Sequence, residues 1–412
     1  MENFKKETVE ILGNGVKVVL STAPSFCAYV GLFIASGSRH DGKTSGVSHL
    51  IEHAIFKGTK NHTYREIMDS IESVGGDINA YTSKEETCYQ IAIANEYVER
   101  AFATLSELFF ESTFPDDELQ KEKTVVVDEI ESYEDVPSEK IYDEFEEILF
   151  AGNPLSKNIL GTKKSVIKTT REDVLKAYNH LYRPSQLVLS YVGCEKNLEV
   201  ILELARKYFG KEPERNLEKI ETVPFSLQKI ETVTIRNKHT HQAHCILGSF
   251  APSIFDPLRL PTAMLANILG GTSFNALLNL ALREERGLTY NIEANYSSYS
   301  DVGLFSVYFG TDYSKIDSCR HIIEELFAKL INEGLSEQNL SEYKKQMLGQ
   351  IAVSEDSYMS LMLNNAKSFW WFNHIDTFEE ITKKVEEIDN DIIKMVAKKI
   401  LSPENIYTLI YK

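Results

Sequence analysis

The segment that most constrains the fold is Ser48-His49-Leu50-Ile51-Glu52-His53-Ala54, in which two histidines stand four residues apart. On an α-helix this spacing places both imidazoles on one face, where they can reach a single metal ion. Glu52 is close enough to both histidines to hold a water molecule at that ion. The apolar residues around them would bury the helix, and Gly58 would end it. We therefore predict a buried metal-binding helix at about residues 46–57, although a chance grouping of these residue types remains an alternative.

Two histidines supply only part of a zinc site, which needs three protein ligands and an open position for water. Glu129 is the best candidate for the third ligand, and Glu122 lies seven residues before it. Two helical turns separate these glutamates, so one could bind the metal while the other orients a ligand. On the residues alone, two solvated glutamates on an acidic helix remain the simpler interpretation.

The order His-x-x-Glu-His reverses the commoner His-Glu-x-x-His zinc motif and is the inverzincin pattern. Together with the Phe56-Lys57-Gly58-Thr59 that follows, it resembles the pitrilysin-type metallopeptidases, which include mitochondrial processing peptidase and insulin-degrading enzyme. The family's third ligand follows the second histidine by about 76 residues, and Glu129 stands at that distance from His53. Further matches in the family's order extend over nearly the whole chain, at Gly75–Ser83, Ile159–Thr162, Tyr182–Pro184 and Arg283–Tyr290.

The resemblance implies a role for each matched residue. One zinc ion per chain would be bound by His49, His53 and Glu129, with Glu122 as the supporting glutamate. Glu52 would act as the catalytic base. The family's arginine and tyrosine, which would position the substrate and stabilise the oxyanion, fall on Arg283 and Tyr290. The family's substrate-binding strand edge falls on Asn79, Ala80 and Tyr81.

Charge and cysteine usage limit the other functional classes. The 412 residues carry a net charge of −17, which argues against nucleic acid and against an anionic membrane surface as partners. The five cysteines are scattered, which is typical of a reducing compartment. The first residues lead into no apolar segment of a signal peptide, and no apolar run reaches membrane-spanning length. We predict a cytoplasmic protein.

The hydrophobic pattern predicts a duplicated α+β fold. We expect an N-terminal zinc-binding domain at residues 1–210, a linker at 211–228, and a C-terminal domain of the same fold at 229–412. Each domain is predicted to be a mostly antiparallel sheet with helices packed on one face. The helix predicted at residues 257–269 takes the place of the metal helix in the second domain but carries no metal-binding residues.

The resulting functional hypothesis is a zinc endopeptidase that cuts unfolded peptides. Larger members of the family carry four related domains in one chain, whereas this chain has two. We therefore expect a homodimer whose two copies form the chamber, with a heterodimer with a related inactive chain as the alternative. A non-catalytic structural or partner subunit is the competing class of function, and the intact set of His49, Glu52, His53 and Glu129 argues against it.

Overall fold

The computed structural model describes residues 7–194, 198–213, 220, 222–226, 231–238 and 240–412. Parts of the predicted linker at 211–228 lie outside these residues. Eleven strands are present in the described chain, and they form two sheets. They are β1 (Glu7–Ile11), β2 (Lys17–Thr22), β3 (Cys27–Ile34), β4 (Asp77–Thr82), β5 (Thr87–Ala94), β6 (Leu187–Gly193), β7 (Val233–Arg236), β8 (Ala243–Ala251), β9 (Asn291–Ser298), β10 (Gly303–Thr311) and β11 (Tyr407–Tyr411).

Fourteen α-helices are present in the same described ranges. They are α1 (Val47–Ala54), α2 (Tyr64–Glu72), α3 (Val98–Glu111), α4 (Asp116–Glu134), α5 (Pro137–Leu149), α6 (Lys163–Lys168), α7 (Arg171–Leu181), α8 (Leu198–Phe209), α9 (Arg259–Gly270), α10 (Ile316–Asn332), α11 (Glu337–Glu355), α12 (Tyr358–Phe372), α13 (Phe378–Glu386) and α14 (Asn390–Leu401). A π-helical segment, Asn279–Glu284, follows α9.

The first compact unit contains residues 1–131, 157–223 and 353–375. Its six-stranded sheet has the order β1-β2-β6-β3-β5-β4, in which only β2 and β6 are parallel neighbours. One face of the sheet carries most of the helices of this unit and the larger apolar core. The other face is covered by α12, whose Met362, Ala366 and Phe369 are buried against it.

The second compact unit contains residues 132–156, 224–352 and 376–412. Its sheet has the order β7-β11-β8-β10-β9, again with one parallel pair, β7 and β11. Helices α9, α10 and α14 cover one face, and α5 covers the other with the buried side chains of Ile141, Phe145 and Leu149. The predicted α+β class with two similar domains is confirmed, and a single helix on the second face of each sheet is added to the prediction.

The units differ from the predicted continuous domains because each receives one segment from the other half of the chain. Residues 132–156 belong to the second unit, and residues 353–375 belong to the first. The apolar stripes of α5 and α12 predict buried helices, but a stripe does not specify which sheet it covers. Helices α11 and α12 are separate, since Ser357 caps α12 by accepting a hydrogen bond from the Ser360 amide.

Candidate metal centre

Helix α1 is held at its N-terminus by the carboxylate of Asp41. This group accepts hydrogen bonds from the amides of Gly46 (2.6 Å) and Ser48 (3.1 Å) and from the Ser48 hydroxyl (2.6 Å). Gly46 has a φ of 87°, and a Cβ atom there would lie 2.5 Å from the carbonyl oxygen of Leu160. Only glycine meets both demands, so this turn fixes where the helix begins.

The two histidines lie on successive turns of α1. Leu50, Ile51 and Ala54 are fully buried on the same helix and fix its rotation against the sheet. The ring centroids of His49 and His53 are 4.7 Å apart, and His49 is only 7% exposed. The predicted shared face is therefore present, with both imidazoles pointing toward α4.

Helix α4 brings Glu129 to the two imidazoles. Its Oε2 atom lies 3.4 Å from Nε2 of His53 and 3.7 Å from Nε2 of His49. Nitrogen and oxygen ligands about 2.0–2.1 Å from a tetrahedral zinc ion are separated by about 3.3 Å. The three side chains thus converge at nearly the separation that a zinc ion requires, and the donor set fits this metal.

Glu122 lies two turns before Glu129 and supports His53 from the other side. Its Oε2 is 3.4 Å from Nδ1 of His53, and its Oε1 is 2.9 Å from the ammonium group of Lys57. Although burial lowers the pKa of His53, the carboxylates of Glu122 and Glu129 outweigh burial and raise this pKa to about 9. Burial and the nearby His53 lower the pKa of His49 to about 4. The two carboxylates therefore stabilise positive charge at His53.

Glu52 lies on α1 between the two histidines but is not part of the convergent ligand set. Its side chain is hydrogen-bonded to Thr82 at the end of β4, and burial raises its pKa. Its Oε2 atom is buried and has no hydrogen-bond partner within the described chain. Since buried carboxylate oxygens are normally satisfied, this atom indicates a missing polar ligand such as a water molecule.

The predicted substrate edge lies at the margin of the first sheet. Strand β4 is its outermost strand and pairs with β5, placing Ala80 opposite Tyr89 and Tyr81 opposite Cys88. Asn79 is exposed and accepts a hydrogen bond from the Ala80 amide. Tyr81 is partly buried and donates to Glu86 (3.1 Å). The strand therefore has an open side, and its last residue contacts Glu52.

The predicted arginine and tyrosine lie in the second unit. They are distant in sequence from the metal-binding residues on α1 and α4. Arg283 lies in the last turn of the π-helical segment. Its guanidinium carbon is 5.6 Å from the centre of the Phe274 ring, and its Nε is 3.6 Å from Oε1 of Glu284. Tyr290 precedes β9 and is 94% exposed, whereas its neighbour Thr289 is buried. Within either unit, the structure does not combine this pair with the metal-binding residues.

Sequence reasoning assigned no role to three residues that shape the centre: Asp41, Lys57 and Thr82. Lys57 follows His53 by one helical turn, so its position relative to Glu122 was available from spacing once α4 had been placed. Thr82 and Asp41 act through tertiary contacts that have no local signature. Of the histidines near β8, His244 is buried against the Tyr308 hydroxyl (2.8 Å), and His239 lies outside the described residues.

Comparison with known proteins shows the family. The model of insulinase, peptidase family M16, matches residues 17–163, and the model of the peptidase M16 inactive domain matches residues 168–347. The uncharacterized zinc protease YmxG of Bacillus subtilis is 32% identical over 402 residues, which cover 96% of each chain. An uncharacterized zinc protease of Mycobacterium leprae is 26% identical, over 95% of this chain and 88% of the other.

Solved structures show the same fold. A protease from Helicobacter pylori superimposes with a TM-score of 0.93 at 20% identity, over 99% of both chains. A putative M16-like peptidase from Alicyclobacillus acidocaldarius gives a TM-score of 0.87 at 20% identity, over 100% of this chain and 99% of the other. With a 32% identical relative that matches over nearly its full length and two consecutive family models, this chain belongs to peptidase family M16.

Proposed function

We propose that this chain is a zinc-dependent endopeptidase that hydrolyses unfolded peptides. The observation that carries the proposal is the convergence of His49, His53 and Glu129 beside an unpartnered, buried oxygen of Glu52. The names of the relatives as zinc proteases support the same chemistry. A zinc ion held by the three side chains would supply Lewis acidity and an activated water.

Glu52 has the position and the environment of a general base. Its free Oε2 atom can accept the proton of the attacking water, and the hydrogen bond from Thr82 holds the other side of the carboxylate. Because burial raises its pKa, the protonated form can then pass the proton to the leaving amine. Glu122 and Lys57 keep His53 oriented during this exchange.

The open side of β4 is the proposed binding edge for the peptide. An extended segment can pair with such an edge as an additional strand, with main-chain hydrogen bonds giving affinity for many sequences. Asn79, Ala80 and Tyr81 lie on this strand, whose end at Thr82 contacts Glu52. An unfolded peptide can present such a strand anywhere along its length, so unfolded peptides are the proposed substrates.

We further propose that the working unit is a homodimer, in which Arg283 and Tyr290 complete the site of the other copy. The support is that the metal-binding set and this pair lie in different units of one chain. In such a dimer the exposed Tyr290 hydroxyl would donate to the oxyanion, and Arg283 would hold the peptide backbone. A heterodimer with a related inactive chain is the alternative arrangement.

The test measures zinc content and cleavage of a quenched unfolded peptide by the wild type and by Glu52→Gln. The variant should retain zinc and lose at least ~10²-fold in turnover, the size typical of general acid–base catalysis. Asp128→Asn is the matched control, because Asp128 is exposed on α4 beside Glu129. Near-normal cleavage by zinc-loaded Glu52→Gln would refute the mechanism, whereas an inactive wild type that binds zinc would favour a non-catalytic subunit.

A further inference from the structure

The helical face of the second sheet contains a cavity of about 550 Å³, lined by side chains of β7, β11, α10 and the segment after α14. This volume is within the roughly 300–1,000 Å³ of small-molecule sites. Most of the wall is apolar and includes Phe327, Ala328, Ile331 and Ile406. One cation, Arg320 of α10, lies in this wall together with the carboxylate of Glu324.

In the first unit, a helix occupies the position that corresponds to this cavity. Both units have a strand parallel to their last strand, β2 beside β6 and β7 beside β11. In the first unit, α8 packs between β2 and α3, where Phe209 contacts Phe110 and the Tyr208 carbonyl accepts a hydrogen bond from Ser106. In the described part of the second unit, no helix packs between β7 and α10, and the cavity lies there.

The residues of α10 that face the cavity differ in polarity and size from the residues of α3 that face α8. Helices α3 and α10 each follow a 3-10 turn at the end of a hairpin strand, so Val98 corresponds to Ile316. On this register the fully buried Phe102 corresponds to Arg320, and Phe110 corresponds to Ala328. The apolar residues that α3 places beneath α8 in the first unit are thus replaced in the second unit by a cation and by a smaller side chain.

The guanidinium of Arg320 is incompletely satisfied. Within the described chain its side chain makes one long ion pair, 3.5 Å from Nη2 to Oε1 of Glu324, whose side chain is 56% exposed. The Nε atom is buried and has no hydrogen-bond partner among the described residues. A guanidinium has five N–H donors that match a carboxylate, and a buried donor without an acceptor destabilises the fold.

We propose that this cavity binds a small amphipathic carboxylate, with its anionic group on Arg320 and its apolar chain along Phe327, Ala328 and Ile331. The net charge of −17 repels anions in general, so binding depends on this local cation and on apolar burial. Two sources share this chemistry, a free alkyl carboxylate and the C-terminus of a short apolar peptide. The site does not depend on the proposed peptidase activity.

The experiment is calorimetric titration of the full-length protein with decanoate, below its aggregation concentration. Affinity should increase about fourfold for each methylene from hexanoate to decanoate, since each adds buried apolar area. Arg320→Gln should weaken decanoate binding at least tenfold, whereas Lys329→Gln, an exposed charge on the same helix, should not. Ala328→Phe should also abolish binding, because the added ring would occupy part of the cavity.

Further arms separate the sources and the competing sites. Decanol should bind at least tenfold more weakly than decanoate, because it lacks the charge. An apolar tripeptide with a free C-terminus is compared with its amide, and preference for the free acid would identify the peptide source. Binding should persist in His49→Ala protein, which excludes the metal centre. Equal binding by decanol, or unchanged affinity in folded Arg320→Gln and Ala328→Phe proteins, would overturn the proposal.

Discussion

The two units place different side chains on the same backbone plan. In each, a central strand leads to a helix on the sheet's main helical face: β3 leads to α1, and β8 leads to α9. Helix α1 carries His49, Glu52 and His53, whereas α9 has no histidine, aspartate or glutamate and buries Met264, Leu265 and Ile268. The same backbone plan thus accommodates either set, and the proposed metal site is a feature that the fold does not require.

The polar side chains of α1 in the first unit include buried atoms without hydrogen-bond partners. Nδ1 of His49 and Oε2 of Glu52 are buried and lack hydrogen-bond partners in the described part of the chain. Unsatisfied buried groups destabilise a fold by about 1–3 kcal/mol each. The corresponding face of α9 is apolar and has no buried polar atom without a partner in the described chain. The comparison teaches that the polar groups of α1 are not explained by packing, which supports the proposed ligand.

The largest expected effect comes from removing metal ligands. His49→Ala or Glu129→Ala should lose nearly all zinc, because two protein ligands cannot hold the ion as three do. Thr262→Ala in α9, a buried position on the corresponding helix, should leave zinc content unchanged. Elemental analysis of purified proteins measures both. Full zinc occupancy in folded His49→Ala and Glu129→Ala proteins would contradict the assignment of the site.

Mixing tests whether the two units act together across a dimer. Glu52→Gln and Tyr290→Phe proteins should each be nearly inactive. If sites are shared, a mixed dimer has one site with both defects and one with neither. Random exchange makes about half of the dimers mixed, so roughly a quarter of wild-type activity should return. Native mass spectrometry must show subunit exchange, and no recovery after that exchange would reject shared sites.

A smaller effect is expected from the residues behind the ligands. Glu122→Gln should weaken zinc binding by about 10–100-fold, because it removes the charged acceptor that orients His53. Glu118→Gln is the matched control, since Glu118 is a partly exposed glutamate one turn earlier on α4 that pairs with Lys121 and not with His53. Competition with a chromogenic chelator gives both affinities. Equal zinc affinities of the two variants would mean that Glu122 contributes only to packing or to its ion pair with Lys57.

The smallest effect concerns acid stability of the first unit. Burial and the charge of Arg39 lower the pKa of His40 to about 4. Between pH 6.5 and 4 the unfolded chain binds a proton that folded His40 does not, so the free energy of unfolding falls as the pH falls.

His40→Asn should remove about 1–3 kcal/mol of this loss between pH 7 and pH 4, as measured by urea unfolding. His321→Asn, which replaces an exposed histidine of the second unit, is the matched control. An unaltered pH dependence in His40→Asn would show that His40 is protonated in the folded protein.

Much of the candidate metal centre was predictable because its side chains recur at the spacing of helical turns. The four-residue spacing of the histidines placed both on one face of α1, and the seven-residue spacing of Glu122 and Glu129 placed both on one side of α4. The turn at Asp41, the hydrogen bond from Thr82 and the contact of Lys57 were not predicted. These contacts join residues from different elements, and local periodicity carries no information about such pairs.

By itself, the sequence determined the amphipathic helices, the strand hairpins, the family and the residue types available for metal binding. Only the tertiary structure decided that α5 covers the second sheet and α12 the first, and that the place filled by α8 is a cavity beside Arg320 in the described second unit. The physical reason is that burial of an apolar stripe is non-directional. Many surfaces can satisfy such a stripe, and the choice among them depends on the packing of the whole chain.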